Sequence, residues 1–336
     1  MGRTERVTGK TMASIVQAVQ APPGHYLVET PVTTLASGQP LNLVTHVLRG
    51  ASPGPVVGIL SGLHGDEFST TEVILSLHER IVIDNLAGTL LLVPMANALS
   101  FEAGTRSTPL DMSNLNRVFP GNPRGTVSEM LANTLCEAFL APCDVLFDLH
   151  SEPDAMAIRC FYTAFPNDDY GRRTLDLAKA SGCPIIYVTS AQSGTLAGVA
   201  RDRGVLAVVP ETGGPLPGAA GLLEEAQDEI LNMLRWLRVL PGAPLSDTNP
   251  VIVDTVAHVR APAGGLFRPI VGFDIVGRSV RGSSPLGTVI SPYTGETLAT
   301  IEAPFAESWM MMVRGRVSRV HPGDPLYIIG RERGVS

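Results

Sequence analysis

The spacing of apolar and polar residues predicts alternating strands and helices over the first 240 residues. Continuous apolar runs such as Thr89–Val93 and Asp144–His150 are typical of strands buried on both faces. Apolar positions three and four residues apart are typical of helices, as in Glu67–Ile83. The alternation predicts an α/β fold with a doubly wound sheet, in which ligands bind at the carboxyl ends of the strands.

The same spacing of apolar and polar residues gives bounds for each predicted strand and helix. Strands are predicted at His25–Thr30, Leu41–Leu48, Val56–Leu60, Thr89–Val93, Asp144–His150, Ile185–Val188 and Val205–Val209. Helices are predicted at Glu67–Ile83, Val127–Leu140, Asp168–Ser181, Leu196–Arg203 and Ala219–Leu240. Residues 97–124 show no period and are predicted to form a long irregular loop, a kind of segment that is usually functional when it is ordered.

The pattern changes near Leu240, where a segment rich in proline and glycine is followed by short β segments. We expect a catalytic domain over residues 1–244, which includes the N-terminal β segments, and a small barrel-like β domain over 245–336. The last lysine of the chain is Lys179, so the second domain cannot carry lipoate or biotin on a lysine. We therefore expect a structural or site-shielding role for it.

Composition narrows the class of protein. The 336 residues are 44% hydrophobic and 17% charged, which excludes a disordered or fibrous chain. The net charge of −7 argues against nucleic acid or an anionic membrane surface as the main partner. The first twenty residues lack the apolar core of a secretory signal, and the four cysteines form no C-x-x-C pair, so we expect buried reduced thiols and a cytoplasmic protein. The oligomeric state stays open, with a homo-oligomer as one possibility.

Two of the seven histidines follow predicted strands. His64 lies four residues after Leu60 and three before Glu67, and His150 ends another strand. Two histidines and a carboxylate, with one position left for water, form the donor set of catalytic zinc sites. We therefore expect one zinc ion per chain, held by these three residues. Surface or packing roles are expected for the other histidines, with His78 on the polar side of its helix: His25, His46, His78, His258 and His321.

Three further positions suggest chemistry around this metal. Glu211 follows a strongly apolar strand and precedes two glycines, which places a candidate general base at the same sheet edge. The loop over residues 97–124 contains arginine but no lysine. Its Arg106 and Arg117, the latter next to Asn116, offer guanidinium groups for a substrate carboxylate and for a developing oxyanion.

The order of these motifs resembles a known family. GLHGDE, GTR, NLNRVFPG, DLH and an apolar strand ending in ETGG follow one another as in the succinylglutamate desuccinylase/aspartoacylase family. The resemblance covers about residues 40 to 215, and the C-terminal region is also similar. It implies a mixed sheet of zinc carboxypeptidase type.

The resemblance also implies roles for residues. It implies His64, Glu67 and His150 as zinc ligands and Glu211 as the base that activates water. Arg106 is implied to polarise the scissile carbonyl, while Asn116 and Arg117 are implied to hold a substrate carboxylate. The implied reaction is hydrolysis of a small, carboxylate-bearing N-acyl amino acid.

One position departs from the family pattern. Many members have aspartate where this chain has Asn114, in a motif nearer that of the N-acetyl-diaminobutyrate deacetylase branch. Such a residue orients the ligand histidine through a hydrogen bond. Asn114, Asp111 and Asp148 are each candidates for that contact.

Other functions stay open from the sequence. A carboxypeptidase acting on peptides would use the same metal, base and arginines. An esterase or lactonase acting on an acid-bearing substrate is a weaker alternative. A non-catalytic binding module is disfavoured, because all three candidate ligands and Glu211 are present.

Overall fold

The computed structural model describes residues 9–153, 155–190, 192–214, 219–245 and 248–334. The α-helices in these ranges are α1 (Ile15–Gln20), α2 (Ser69–Arg80), α3 (Ala98–Ala103), α4 (Val127–Thr134), α5 (Asp169–Ser181), α6 (Leu196–Asp202) and α7 (Ala220–Trp236). The strands are β1 (Lys10–Met12), β2 (Gly24–Thr34), β3 (Pro40–Arg49), β4 (Ser52–Leu60), β5 (Ala87–Val93), β6 (Val145–Asp148), β7 (Met156–Ala164), β8 (Ile185–Thr189), β9 (Leu206–Gly213), β10 (Val251–Arg260), β11 (Gly265–Pro269), β12 (Ser279–Arg281), β13 (Pro285–Ile290), β14 (Thr297–Glu302), β15 (Glu307–Arg314), β16 (Ser318–Val320) and β17 (Pro325–Glu332). Within these ranges no helix is long and apolar enough to cross a membrane.

All five predicted helices are present, and most are shorter than the pattern suggested. α2 begins at Ser69 because the preceding turn carries Glu67 into the candidate site, and it ends where Ile81 becomes extended. α4 continues as a π-helix over Leu135–Leu140, so the predicted helix keeps its length but changes its winding. α7 ends at Trp236, two residues before Arg238 adopts a left-handed backbone.

Three expectations about elements are wrong or incomplete. The predicted loop over residues 97–124 contains α3, whose first turn is capped by the Asn97 side chain, and a short 3-10 helix at Leu115–Arg117. β7 was not predicted, although it is a nine-residue strand with mostly buried side chains. β1 and α1 were not predicted either.

The chain forms two compact units. One comprises Met1–Leu149, Ala191–Val208 and Met233–Pro244; the other comprises His150–Ser190, Val209–Asn232 and Leu245–Ser336. The expected domain limits, 1–244 and 245–336, stay a prediction, because spatial units do not show which segments fold independently.

The first unit is built on a mixed sheet with the strand order β1-β2-β3-β5-β4-β6. β4 pairs in parallel with both β5 and β6, while β2, β3 and β5 are antiparallel neighbours. β6 also pairs in parallel with Leu206–Val208, the first residues of β9. β5 and β6 are buried along almost their whole length, as their continuous apolar runs predicted. The expectation of a doubly wound mixed α/β sheet is confirmed.

The second unit is rich in strands. β9 pairs with β7, and neighbouring strands then follow in the order β7-β8-β10-β17-β15. β15 returns to pair with β7 through Met312 and Ile158, which closes these five strands into a barrel-like ring. A four-stranded sheet, β14-β13-β11-β16, completes the unit. The expected barrel-like β structure is confirmed, and it draws β7 and β8 from upstream of residue 245.

All four cysteines are buried and none forms a disulfide. Burial raises the pKa of Cys136 to about 11 and that of Cys160 well above its usual value. Burial therefore favours the protonated form of these two thiols, and the expectation that the cysteines are buried is confirmed.

Candidate active site

The turn after β4 carries His64 and Glu67, which are 1% and 4% exposed. Their side chains meet, with His64 Nδ1 2.8 Å from Glu67 Oε1. Thr70 lies in the first turn of α2. Its hydroxyl donates to the Glu67 carbonyl oxygen and lies 2.7 Å from Ser61 Oγ, so it contacts residues at both ends of the turn. The H-x-x-E spacing therefore brings both donors to one point, as the sequence predicted.

Glycine is required at two positions of this turn. Gly62 has a left-handed backbone with φ of 71°. At Gly65 an added Cβ would lie only 2.0 Å from the backbone of Ser100 in α3. The turn can thus pack directly against α3, which fixes the position of His64 between the two glycines.

His150 and Glu211 are joined by backbone pairing. His150 N–H donates to the Pro210 carbonyl, and Thr212 N–H donates to the His150 carbonyl, both at 2.9 Å. His150 and Glu211 are therefore partners in a parallel bridge, which directs their side chains to the same face. His150 is buried and Glu211 half-buried. His150 lies two residues beyond the end of β6, close to its expected strand-end position, whereas Glu211 lies within β9 rather than after it, because β9 continues to Gly213.

One donor atom each from His64, Glu67 and His150 lies within 4.8 Å of the other two. The sheet explains this convergence, because β4 and β6 are adjacent parallel strands and end level with each other at Leu60 and Asp148. Two imidazoles and one carboxylate, all buried, are a donor set suited to a divalent metal ion.

Of the three candidates from the sequence, Asn114 makes a hydrogen bond to His64. Its Oδ1 accepts from the backbone N–H of Asn116 at 2.9 Å, which identifies that atom as the oxygen. The same oxygen lies 3.0 Å from His64 Nε2, so Nε2 carries a proton. His64 Nδ1 then faces the Glu67 carboxylate, and either a second proton or a cation must lie between them.

Asp111 has a different role from the one considered for it. Its carboxylate accepts hydrogen bonds from the backbone N–H and the hydroxyl of Ser128, near the start of α4. Burial acts to raise the pKa of Asp111, but the hydrogen bonds from Ser128 and Ser113 outweigh it and lower the pKa. Asp148 is buried at the end of β6.

Arg106 lies beside the candidate ligands. Its Nη1 donates to Glu67 Oε1 at 2.6 Å, while about half of the side chain stays exposed. Burial and the neighbouring Glu67 carboxylate raise the pKa of Asp66, which lies next to Glu67 and was not among the residues expected at the site. Its position inside GLHGDE was the available signal.

Asn116 and Arg117 differ in their burial and in the contacts that they make. Asn116 is buried, and its Oδ1 accepts from the backbone N–H of Leu196 at the start of α6. Arg117 is exposed, and its Nη1 donates to the Asn116 carbonyl at 2.6 Å. Gly194, with φ of 80°, packs against the Arg117 backbone, where a Cβ would lie 2.4 Å from the carbonyl oxygen.

Three other histidines, expected in surface or packing roles, come together in the structure. His25, His46 and His78 are half-buried and form a second group. Their separation in sequence gave no signal for this.

Comparison with known proteins identifies the family. Residues 53–237, more than half of the chain, match the succinylglutamate desuccinylase/aspartoacylase catalytic domain. The chain is 33% identical over 294 residues to the N-alpha-acetyl-L-2,4-diaminobutyric acid deacetylase of Halomonas elongata, a match covering 85% of this chain and 84% of the relative.

Solved structures agree in fold. A succinylglutamate desuccinylase/aspartoacylase from Rhodobacter sphaeroides is similar with a TM-score of 0.79 and 26% identity, over 92% of this chain and 96% of that one. The product-bound ectoine utilization protein of Ruegeria pomeroyi has the same fold, with a TM-score of 0.79 and 22% identity, over 92% and 96% of the two chains. From the motif order, the domain match and the identity to the deacetylase, the chain belongs to the succinylglutamate desuccinylase/aspartoacylase family.

Proposed function

We propose that this chain is a zinc-dependent deacylase that hydrolyses the amide bond of a small N-acyl amino acid. The observation that carries the proposal is the buried group of His64, Glu67 and His150, with Glu211 paired beside His150. The similarity to a deacetylase of an acetylated diamino acid supports the same reaction class.

The three buried donors fit zinc in number and type. His64, through Nδ1, would bind together with Glu67 and His150, because Asn114 holds the proton on Nε2. A zinc ion bound there supplies Lewis acidity and lowers the pKa of a water molecule.

Glu211 is the proposed general base. Its side chain lies on the same face as that of His150, and it is half-buried. Its carboxylate takes a proton from the attacking water as the water oxygen bonds to the amide carbon. It then delivers that proton to the nitrogen as the carbon–nitrogen bond breaks, which leaves a free amine and a carboxylic acid that loses its remaining proton to solvent.

The arginines supply the positive charge that such a substrate needs. Arg106 contacts Glu67 through Nη1, and its remaining N–H groups are proposed to donate to the carbonyl oxygen as negative charge develops there. Arg117 is exposed and is proposed to pair with the substrate carboxylate. Asn116 holds the backbone at α6 through its Oδ1, so its proposed contribution to carboxylate binding is to position Arg117.

A panel of amides tests the proposal. Zinc-loaded protein is offered N-acetyl, N-succinyl and N-formyl amino acids, including N-acetyl-2,4-diaminobutyrate, and the release of primary amine is measured. Amine release from at least one of them, with no cleavage of peptides, is expected. Release of C-terminal amino acids from peptides alone would favour a carboxypeptidase, and hydrolysis of esters or lactones alone would favour the esterase alternative. Either result would overturn the proposal.

A further inference from the structure

The second histidine group is assembled by register and helix packing. In the β2–β3 hairpin His25 lies opposite Leu48, which places His46, two residues earlier, on the same face and diagonal to it. His78 lies in the last turn of α2, four residues after the buried Ile74 and next to the buried Leu77. His78 therefore lies beside the buried face of α2, where it contacts the two hairpin histidines.

The three rings converge through their nitrogen atoms. His25 Nε2 lies 3.2 Å from His46 Nδ1 and 3.3 Å from His78 Nε2. One nitrogen from each ring lies within 4.8 Å of the other two. Two nitrogens that bind one zinc ion at the tetrahedral angle lie about 3.3 Å apart, given the usual zinc–nitrogen bond. Both measured contacts match that separation.

Hydrogen bonding alone does not satisfy this arrangement. In a neutral imidazole each nitrogen offers either one N–H or one in-plane lone pair. His25 Nε2 can therefore make one well-directed hydrogen bond, yet it has two nitrogen neighbours at hydrogen-bond distance. A cation is attracted to all three lone pairs at once, so it satisfies both contacts.

The charge state of the group suits a metal. Burial lowers the pKa of His25, His46 and His78, and mutual repulsion adds to this at His25 and His78. The pKa of His78 falls to about 4. The neutral imidazole is the form that binds zinc, copper, nickel and cobalt.

Gly9 packs closely beside the central ring. A Cβ at Gly9 would lie 3.0 Å from both Nε2 and Cε1 of His25, so a larger residue here would crowd the shared nitrogen.

We propose that His25, His46 and His78 form a second metal site that binds a divalent transition-metal ion of the zinc class. The site lies within one compact unit of the chain and joins α2 to the β2–β3 hairpin. It shares no residue with the group of His64, Glu67 and His150, and it does not depend on the proposed deacylase activity.

Metal stoichiometry tests the proposal. Chelator-treated full-length protein is titrated with Zn²⁺ and with Co²⁺, and bound metal per chain is measured after buffer exchange. We expect two equivalents in the wild type and one in His46→Gln and in His78→Gln. His321→Gln is the matched control, because this exposed histidine belongs to neither group, and it should still bind two.

The single variant His64→Ala adds a test in which the hairpin and α2 are unchanged. His64→Ala should keep one equivalent of Co²⁺ with visible absorption bands, and the His64→Ala/His78→Gln double variant should lose it. Circular dichroism of the metal-free forms checks that each variant is folded. Saturation of the wild type at one equivalent, with none bound by folded His64→Ala, would overturn the proposal.

Discussion

The two histidine groups of this chain differ in how the fold assembles them. His64, Glu67 and His150 follow the ends of adjacent parallel strands, so the sheet brings them together although His64 and His150 are 86 positions apart in the sequence. His25, His46 and His78 meet only through hairpin register and the packing of α2. The first arrangement follows from a general rule about parallel sheets, whereas the second depends on tertiary contacts between a hairpin and a helix that this rule does not describe.

The groups also differ in how their histidines are supported. His64 has its second nitrogen held by Asn114, whose own orientation is fixed by a backbone N–H. His78 Nδ1 is buried and has no hydrogen-bond partner among the described residues. Since such partners raise metal affinity, the group at the strand ends should bind metal more tightly than the three-histidine group.

The largest difference between the groups should appear in His64→Ala. Loss of this donor should lower amine release by at least about 10³-fold, because a metal ion contributes several kcal/mol to such a reaction. The three-histidine group should keep its ion. Metal content and amine release are measured together, and His321→Gln is the control. A variant that still bound two equivalents would contradict the assignment of His64.

Asn114→Ala should lower the zinc affinity of only one of the two histidine groups. Removing the acceptor for His64 Nε2 should weaken zinc binding at the strand ends by about 10- to 100-fold. Competition with a chelator of known affinity measures this, with Asn167→Ala as an exposed control. An unchanged affinity would show that Asn114 does not orient the ligand.

Arg117→Lys should affect substrate binding and leave both metal groups occupied. One ammonium cannot reproduce the two parallel hydrogen bonds of a guanidinium, so KM should rise by about tenfold. Steady-state kinetics on the best substrate measures it, with Arg124→Lys in the same loop as the control. If KM stayed the same in Arg117→Lys, the residue would not be the carboxylate partner.

The smallest expected effect is that of Thr126→Ala at the start of α4. Thr126 and Glu129 form a reciprocal capping box, so the substitution should lower the free energy of unfolding by about 1 kcal/mol. Urea unfolding measures the loss. Metal stoichiometry should not change, and a loss of metal here would mean that general destabilisation accounts for the other variants as well.

Much of the fold was predictable from local patterns. The buried strands β5 and β6 correspond to unbroken apolar runs in the sequence. The helix α5 ends at Ser181, as predicted. The missed β7 pairs with three other strands, so its position is decided by distant segments. The site at the strand ends was predictable because H-x-x-E follows a buried strand. The contact of Arg106 with Glu67 was not predictable from the sequence, because it depends on the conformation of a long loop.

The proposed deacylase reaction is tested most directly by Glu211→Gln. This variant keeps the shape of the side chain and removes its ability to take a proton. If Glu211 is the base, Glu211→Gln should keep full metal content and lower amine release by about 10³-fold, with Glu296→Gln as the exposed control. Amine release at the wild-type rate from Glu211→Gln would contradict this role.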